Sequence, residues 1–398
     1  MKSVELLAPA GNLKKLKLAF YYGADAVYCG GKSFSLRTFA DNFTDEELRE
    51  GIEYAHARGK KVYVAANIFA RNGDFSHLKE YLRYLEQVGA DAVLLSDPGA
   101  ILLAKECAPK LPIHISTQAN TTNAFSARFW KEIGAERVVL ARELSLAEIA
   151  EIHAQNPSLQ LEAFVHGAMC ISYSGRCLLS DYLDGRSSNR GACVQACRWN
   201  YRIQSDNGKN GEWVEISEDE KGTYLLNSKD LNMSAYLNEL KEAGVCSFKI
   251  EGRMKSEYYL ATVINAYRRL LDGAPYGEME GELSACAHRA YTTAYAFGEN
   301  SETVNYDDSQ TKGSYDYIAN VLSSDGFKVS VEMRNRFFEG EVLEVLSPSN
   351  CFKKTITVSN LRDESGESCT DAKRVQATYV FDCDLPLTVG DILRRKSK

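Results

Sequence analysis

Four cysteines lie in one short stretch of this chain, among glycines and arginines. They are Cys170, Cys177, Cys193 and Cys197. Isolated cysteines elsewhere, such as Cys29, are most simply interpreted as small buried hydrophobic residues. Four thiols in one segment instead indicate a metal or iron–sulfur site.

The spacing of these cysteines does not identify the metal. Six, fifteen and three residues separate them in turn. This pattern matches neither zinc-finger pairs nor the runs found in ferredoxins. Because four thiolates suffice for either centre, zinc and an iron–sulfur cluster both stay open from spacing alone.

The cysteine count and the N-terminus predict a reducing compartment. The chain holds eleven cysteines, an odd number, and begins without the apolar core of a signal peptide. We therefore expect a cytoplasmic protein in which a disulfide framework is the least favoured explanation of the cluster. No apolar run approaches the roughly 20 residues that span a bilayer, so we expect no membrane partner.

The net charge of −7 argues against broad, nonspecific binding to nucleic acid. A local basic patch nevertheless lies in the cysteine segment, where only Asp181 and Asp184 oppose the arginines. A solvated loop is the simpler interpretation, but arginine also recognises phosphates and carboxylates. The patch comprises Arg176, Arg186, Arg190, Arg198 and Arg202.

Short apolar runs rich in β-branched residues alternate with helical patterns along the first 283 residues. Glycines that recur just before the runs indicate a repeated helix-to-strand unit. Eight such units predict an α/β fold of the TIM-like (β/α)8 barrel type, with a doubly wound open sheet as the alternative. The predicted strands are Val4–Ala8, Ala26–Cys29, Lys61–Ala65, Ala92–Leu95, Ile113–Thr117, Arg137–Leu140, Leu161–Val165 and Ser247–Ile250.

Polar side chains follow the carboxyl ends of these strands, where TIM-type barrels build their sites. We expect one rim to gather them, although helix caps and structural ion pairs account for part of the set. The cysteines follow strand seven directly, and this position on the rim favours a cluster with a chemical role over structural zinc. The polar set includes Asn67, Gln118, Arg142, His166, Lys249, Glu251 and Arg253.

The remaining sequence predicts a long insertion and a second domain. The connection after strand seven spans residues 166–230 and contains a predicted hairpin from Trp199 to Leu226, with a turn at 205–208. We predict a barrel domain over 1–283, a linker over 284–313 and a small all-β barrel over 314–398. The predicted strands of that second domain are Tyr315–Val321, Lys328–Met333, Glu341–Leu346, Lys354–Val358 and Gln376–Phe381.

The stretch from His166 to Ser180, HGAMCISYSGRCLLS, resembles the signature of the collagenase-like peptidase family U32. The resemblance covers nearly the whole chain. It extends to LLAPAG at 6–11, DAVY at 25–28, STQ at 116–118, CVQACRW at 193–199, SKDL at 228–231 and FKIEGR at 248–253.

Within this family the chain most resembles members that modify tRNA. The resemblance implies formation of 5-hydroxyuridine at the wobble position without molecular oxygen, with a prephenate-like dicarboxylate as donor. It implies the tRNA anticodon loop as partner and predicts no oligomeric state. Because relatives carry a four-iron four-sulfur (4Fe-4S) cluster on cysteines, it also implies a cluster bound by the four clustered cysteines.

Roles for the remaining residues follow as hypotheses. His166 would move a proton, with Lys249, Glu251 and Arg253 as further catalytic residues. Cationic side chains would hold the donor carboxylates, and aromatic side chains would stack on a splayed base. The predicted substrate-binding residues are Asn67, Gln118, Arg142, Tyr173, Arg176 and Trp199.

Two alternatives stay open. A peptidase lacks support from the usual motifs, since neither His-Glu-x-x-His nor Gly-x-Ser-x-Gly occurs. A cysteine–histidine pair of His166 with Cys170 or Cys177 is the remaining hydrolytic arrangement. A non-catalytic RNA-binding or electron-transfer component would carry the same cysteines.

Overall fold

The computed structural model describes residues 4–36, 42–199, 204–206, 213–215, 228–298, 303 and 311–397. These residues form two compact units. The first comprises Met1–Leu13, Asp25–Met254 and Arg289–Thr311, and the second comprises Lys14–Ala24, Lys255–His288 and Lys312–Lys398. The predicted linker over 284–313 stays a prediction.

Eight parallel strands close into a barrel in the described part of the chain. The closing strand, β11, pairs with β7 on one side and with β1 on the other. Closure confirms the TIM-like barrel and excludes the open sheet. The strands are β1 (Glu5–Pro9), β2 (Ala26–Gly30), β3 (Lys61–Ala65), β4 (Ala92–Leu95), β5 (Ile113–Ile115), β6 (Arg137–Val139), β7 (Gln160–Ala168) and β11 (Val245–Ile250).

Helices alternate with these strands along the chain, and local sequence fixes their ends. Thr44 and Ser145 begin helices as capping boxes with Glu47 and Glu148. Gly89, at a φ of 78°, ends another helix where residues with a Cβ would be strained. The helices are α1 (Leu13–Tyr21), α2 (Asp45–His56), α3 (Phe75–Gln87), α4 (Pro98–Cys107), α5 (Ala124–Glu132), α6 (Leu146–Gln155), α7 (Leu179–Asp184), α8 (Leu237–Glu242), α9 (Glu257–Leu271) and α10 (Tyr276–Leu283).

The connection between β7 and β11 is the predicted long insertion. Its strands β8 (Gln204–Asp206) and β9 (Trp213–Glu215) pair antiparallel and confirm the predicted hairpin. The turn was predicted at 205–208, but Ser205 and Asp206 belong to β8 and pair with β9. Residues 207–212 lie outside the described residues. Two further strands that pair onto the barrel sheet were not predicted: β10 (Asp230–Asn232) pairs antiparallel with the end of β7, and β12 (Tyr291–Thr292) pairs with β10.

The second unit contains an antiparallel sheet that confirms the predicted all-β domain. Within residues 311–397 the strand order is β17-β16-β20-β13-β14-β19, with β15 and β18 paired separately. Alternating inward residues of these strands form its apolar core. The strands are β13 (Tyr315–Ser324), β14 (Lys328–Met333), β15 (Phe337–Phe338), β16 (Val342–Leu346), β17 (Thr355–Thr357), β18 (Asp371–Ala372), β19 (Thr378–Asp382) and β20 (Ile392–Lys396).

Strand β20 is central in this sheet but was missed in the sequence. It reads Ile-Leu-Arg-Arg-Lys, which looks like an exposed basic segment. Arg394 is nevertheless buried, because Glu282 and Glu344 both accept hydrogen bonds from its guanidinium group.

The described helices include none that is long and apolar enough to cross a membrane.

Candidate functional site

A cavity lies where the carboxyl ends of the barrel strands meet the cysteine segment. The structure brings most of the predicted site residues together on its wall. Those residues are Asn67, Gln118, Arg142, Cys170, Tyr173, Cys177, Cys193, Cys197, Lys249, Glu251 and Arg253.

Lys249 lies at the barrel side of this cavity and is almost fully buried. Its Nζ donates a hydrogen bond to Glu162 Oε1 at 2.7 Å. The same Nζ lies 4.3 Å from the ring centre of Tyr28 and 5.5 Å from that of Phe164. Two aromatic faces and one carboxylate therefore hold this ammonium group in place.

Beneath Lys249, a buried network of charges fills the barrel interior. Arg137 Nη1 donates to Glu162 Oε2 at 3.0 Å and also contacts Glu5. The Ser247 hydroxyl lies 2.8 Å from Glu5 Oε1 and 3.2 Å from Glu162 Oε2. Burial alone would raise the pKa of Glu162, but the attraction of Lys249 and Arg137 prevails and lowers it to about 2. Glu162 is therefore ionised at neutral pH.

Arg142 and Glu251 form a second ion pair on the cavity wall. Arg142 Nη2 lies 3.3 Å from Glu251 Oε2, and its Nη1 donates to the carbonyl of Ala168 at 3.0 Å. The guanidinium carbon lies 3.9 Å from the ring centre of Phe164. Arg142 thereby joins the end of β6 to the ends of β7 and β11, next to the first cysteine.

Arg253 and Asn67 complete the barrel side of the cavity. The Arg253 Nη1 donates to the Ser35 hydroxyl at 2.8 Å, and both side chains are buried. Asn67 Nδ2 donates to Ser116 Oγ at 2.9 Å. Gln118 follows that serine by two residues and also lines the cavity. The strand ends therefore present fixed polar groups.

The cysteine segment is attached to the barrel by polar contacts and one close approach. Arg190 makes two hydrogen bonds to Asp74, of 2.9 and 3.1 Å, and another to the carbonyl of Phe69. A Cβ on Gly175 would lie 2.8 Å from both the carbonyl oxygen of Gln118 and the Phe69 ring. Only glycine therefore fits this part of the signature without movement.

Backbone and side-chain contacts position two of the thiols. The carbonyl of Cys177 accepts hydrogen bonds from Ser188 Oγ at 2.7 Å and from Asn189 Nδ2 at 3.1 Å. The buried Ser180 hydroxyl lies 3.8 Å from Cys193 Sγ. Ser180, Ser188 and Asn189 belong to the cysteine segment, so contacts within that segment position Cys177 and Cys193.

None of the four cysteines forms a disulfide bond, and the other three lie near enough to Cys197 to affect its pKa. Burial, and after it the neighbouring Cys170, raises the pKa of Cys197 to about 11. Arg198 opposes this shift, while Cys193 and Cys177 add to it. Among the described residues, no group of three or more His, Cys, Asp and Glu side chains is arranged to hold a single metal ion.

Three predicted site residues do not lie on the cavity wall. His166 is buried, with its ring centre 5.3 Å from that of Tyr291. Arg176 and Trp199 are exposed on the cysteine segment. Arg202, from the predicted basic patch, lies outside the described residues.

Several residues around the cavity were not predicted from the sequence. They are Tyr28, Ser35, Glu162 and Phe164. Glu162 carried a usable signal, because an acidic residue inside an otherwise apolar strand must find a buried cation. The two aromatic residues looked like ordinary core positions. Only the barrel's closure places them against Lys249.

The sequence of this chain is similar to those of known proteins. The model of peptidase family U32 matches residues 11–306, and that of its C-terminal domain matches residues 313–394. The chain is 39% identical to the tRNA hydroxylation protein P1 of Bacillus subtilis, over 99% of this chain and 95% of the relative. It is 38% identical to the tRNA hydroxylation protein P of Escherichia coli, over 92% and 90%.

A more distant relative matches about four fifths of the chain. It is the 23S rRNA 5-hydroxycytidine C2501 synthase of Escherichia coli, 35% identical over 81% of this chain and 46% of the relative. The two matching models cover nearly all of the described chain, and the signature cysteines line the cavity of its barrel. The expected resemblance is confirmed, and the chain belongs to peptidase family U32.

Proposed function

We propose that this protein is a cytoplasmic enzyme that hydroxylates tRNA, forming 5-hydroxyuridine at the wobble position. Two relatives that match it nearly end to end are named tRNA hydroxylation proteins. A third is named for a 5-hydroxylated pyrimidine in rRNA, which supports the C5 position. The observation that carries the proposal is one cavity lined both by the four cysteines and by cationic side chains of the strand ends.

The thiol wall suits an iron–sulfur cluster, which we propose to be 4Fe-4S, bound by Cys170, Cys177, Cys193 and Cys197. All four cysteines line the cavity. Four thiolates suffice for such a cluster, and their position at the carboxyl ends of the barrel strands supports a cluster with a chemical role over structural zinc. When bound, the cluster would supply a redox or Lewis-acid centre at this wall.

The cationic wall of the cavity, which comes from the strand ends, suits a small dicarboxylate donor of the prephenate type. The charged residues lining the cavity are Arg142, Lys249, Arg253 and Glu251. With Glu162 below Lys249, the local count is three cations against two carboxylates. A dianionic ligand would fit this positive excess, and guanidinium groups can hold carboxylates in a bidentate manner.

The chain's own residues would orient the reactants. Arg142 and Arg253 would fix the donor, while Tyr28 and Phe164 would exclude water around Lys249. Tyr173, half-exposed on the cavity wall, is placed to stack on a splayed base. We assign the acceptance of a proton to a carboxylate oxygen of Glu251, because the ring of His166 does not line the cavity.

Nucleoside analysis of cellular tRNA tests the proposal. A strain lacking this protein would receive wild type, Cys170→Ala or Cys107→Ala. Cys107 is the matched control, a partly exposed thiol at the end of α4 whose Sγ lies 3.8 Å from the carbonyl of Lys79. Wild type and Cys107→Ala should restore 5-hydroxyuridine, and Cys170→Ala should not.

The outcomes separate the parts of the proposal. Absence of 5-hydroxyuridine with wild type would refute the tRNA function. Full hydroxylation by Cys170→Ala would refute the cluster while leaving that function standing. Hydrolysis of gelatin by purified wild type, in the absence of any tRNA effect, would return the peptidase alternative.

A further inference from the structure

The cysteine segment, residues 170–199, exposes an unusual concentration of large apolar side chains. Tyr182 on α7 is 84% exposed, more than any other large hydrophobic residue described. Four neighbours in sequence are also between 42% and 53% exposed. They are Tyr173, Leu178, Leu183 and Trp199.

The inward side of the same segment is firmly packed. Ser180 and Ala196 are almost fully buried, and Leu179 lines the cavity. The short helix α7 therefore has one side on the cavity and the other in solvent. Exposed apolar patches of this kind mark binding surfaces more often than isolated exposed residues do.

The charge of this surface indicates what binds it. Between residues 170 and 199 the sequence has two aspartates and four arginines, of which Arg190 is already paired with Asp74. Arg176 is exposed, and half-exposed Arg186 lies 3.0 Å from Asp184. Arginines among exposed aromatic residues match single-stranded RNA, whose phosphates pair with guanidinium groups and whose bases stack on rings.

We propose that α7 and Tyr182 form the docking platform for the RNA strand that flanks the target nucleotide. The inference rests on the proposed function, because it takes the cavity as the site of the target base. Tyr173 and Leu179 line that cavity, and Tyr182 follows three residues after Leu179. A base bound in the cavity would bring its neighbours over α7, where Tyr182 stacks on one of them.

Fluorescence anisotropy on the anaerobically purified full chain tests this platform. The probe is a labelled anticodon stem-loop RNA with uridine at the wobble position. Tyr182→Ala should weaken binding at least about fivefold, since loss of one base–aromatic stack costs about 1–3 kcal/mol. Tyr182→Phe keeps the ring and should bind as wild type does.

Phe125→Ala is the matched control, because Phe125 is 69% exposed but belongs to α5 and not to the cysteine segment. It should bind the stem-loop like wild type. Equal affinity of Tyr182→Ala and wild type would overturn the platform while leaving hydroxylation intact. Weakened binding together with absence of 5-hydroxyuridine in cells would instead keep the platform and refute the proposed reaction.

Discussion

The two walls of the cavity are built in different ways. The cationic wall rises from strand ends, where Lys249 is fixed by a carboxylate and two rings in the buried barrel interior. The thiol wall comes from an insertion held to the barrel by contacts such as Arg190 with Asp74, both partly exposed. Charge is therefore placed by the scaffold, and the sulfur ligands by a segment attached to it.

The buried ion pairs of the barrel interior and the exposed contacts of the attached segment should contribute differently to stability. Buried ion pairs fix position but tolerate no loss of a partner, because the remaining charge is left in a medium of low dielectric. Exposed pairs contribute little to global stability. We expect the buried contacts of the barrel interior to determine whether the protein folds. We expect the contacts of the attached segment to determine whether the four cysteines are positioned to bind a cluster.

The largest expected effect is on folding stability, from Glu162→Gln. The change leaves Lys249 and Arg137 without their shared buried carboxylate and should lower the free energy of unfolding by about 3–5 kcal/mol. Urea denaturation followed by circular dichroism measures it. Glu132→Gln is the control, since Glu132 pairs with Arg128 on an exposed helix face and should change little. A loss below about 1 kcal/mol for Glu162→Gln would contradict the difference between the walls.

A smaller effect appears in acid. The pKa of Glu162 is about 2 in the folded chain and ordinarily 4.5, so the unfolded chain binds the proton more readily. Its stabilising contribution is therefore complete above pH about 4.5 and is lost as the pH falls towards 2. The stability gap between wild type and Glu162→Gln should narrow over that range. A gap of constant size would mean that the charge of Glu162 does not cause it.

The smallest global effect is expected from Asp74→Asn, the same loss of charge on the thiol side. Because Asp74 and Arg190 are partly exposed, the free energy of unfolding should fall by at most about 1 kcal/mol. Hydrogen exchange of amides in residues 170–199 should nevertheless rise, since the attachment is weakened. Unchanged exchange there, or a global loss as large as that of Glu162→Gln, would remove the distinction.

Much of the fold could be predicted because apolar periodicity and glycine placement are local signals. All eight barrel strands were found within a few residues of their bounds. The hairpin in the insertion was also predicted, but its turn was placed on residues that belong to β8. Strand β20 was missed because Arg394 is buried only through carboxylates distant in sequence. Strand β10 was missed because three residues carry too little periodicity to reveal pairing with β7.

The site was predictable where residue type alone restricts chemistry. The cysteines and the polar strand ends line the same cavity, as expected from barrel topology. The prediction placed His166 on the same rim, whereas its ring packs beside Tyr291. That contact depends on β12 pairing next to β10, a long-range arrangement that the sequence does not show. The catalytic and binding roles assigned to all these residues stay predictions.

Absorption spectra and metal analysis of the purified protein test directly whether the four cysteines bind an iron–sulfur cluster. Wild type, Cys170→Ala and Cys107→Ala would be purified anaerobically, and their visible absorption, iron, sulfide and zinc contents compared. Wild type and Cys107→Ala should show a broad charge-transfer band together with iron and sulfide. Cys170→Ala should lack the band. Colourless wild-type protein that holds zinc or no metal, even after reconstitution with iron and sulfide, would contradict the proposed cluster.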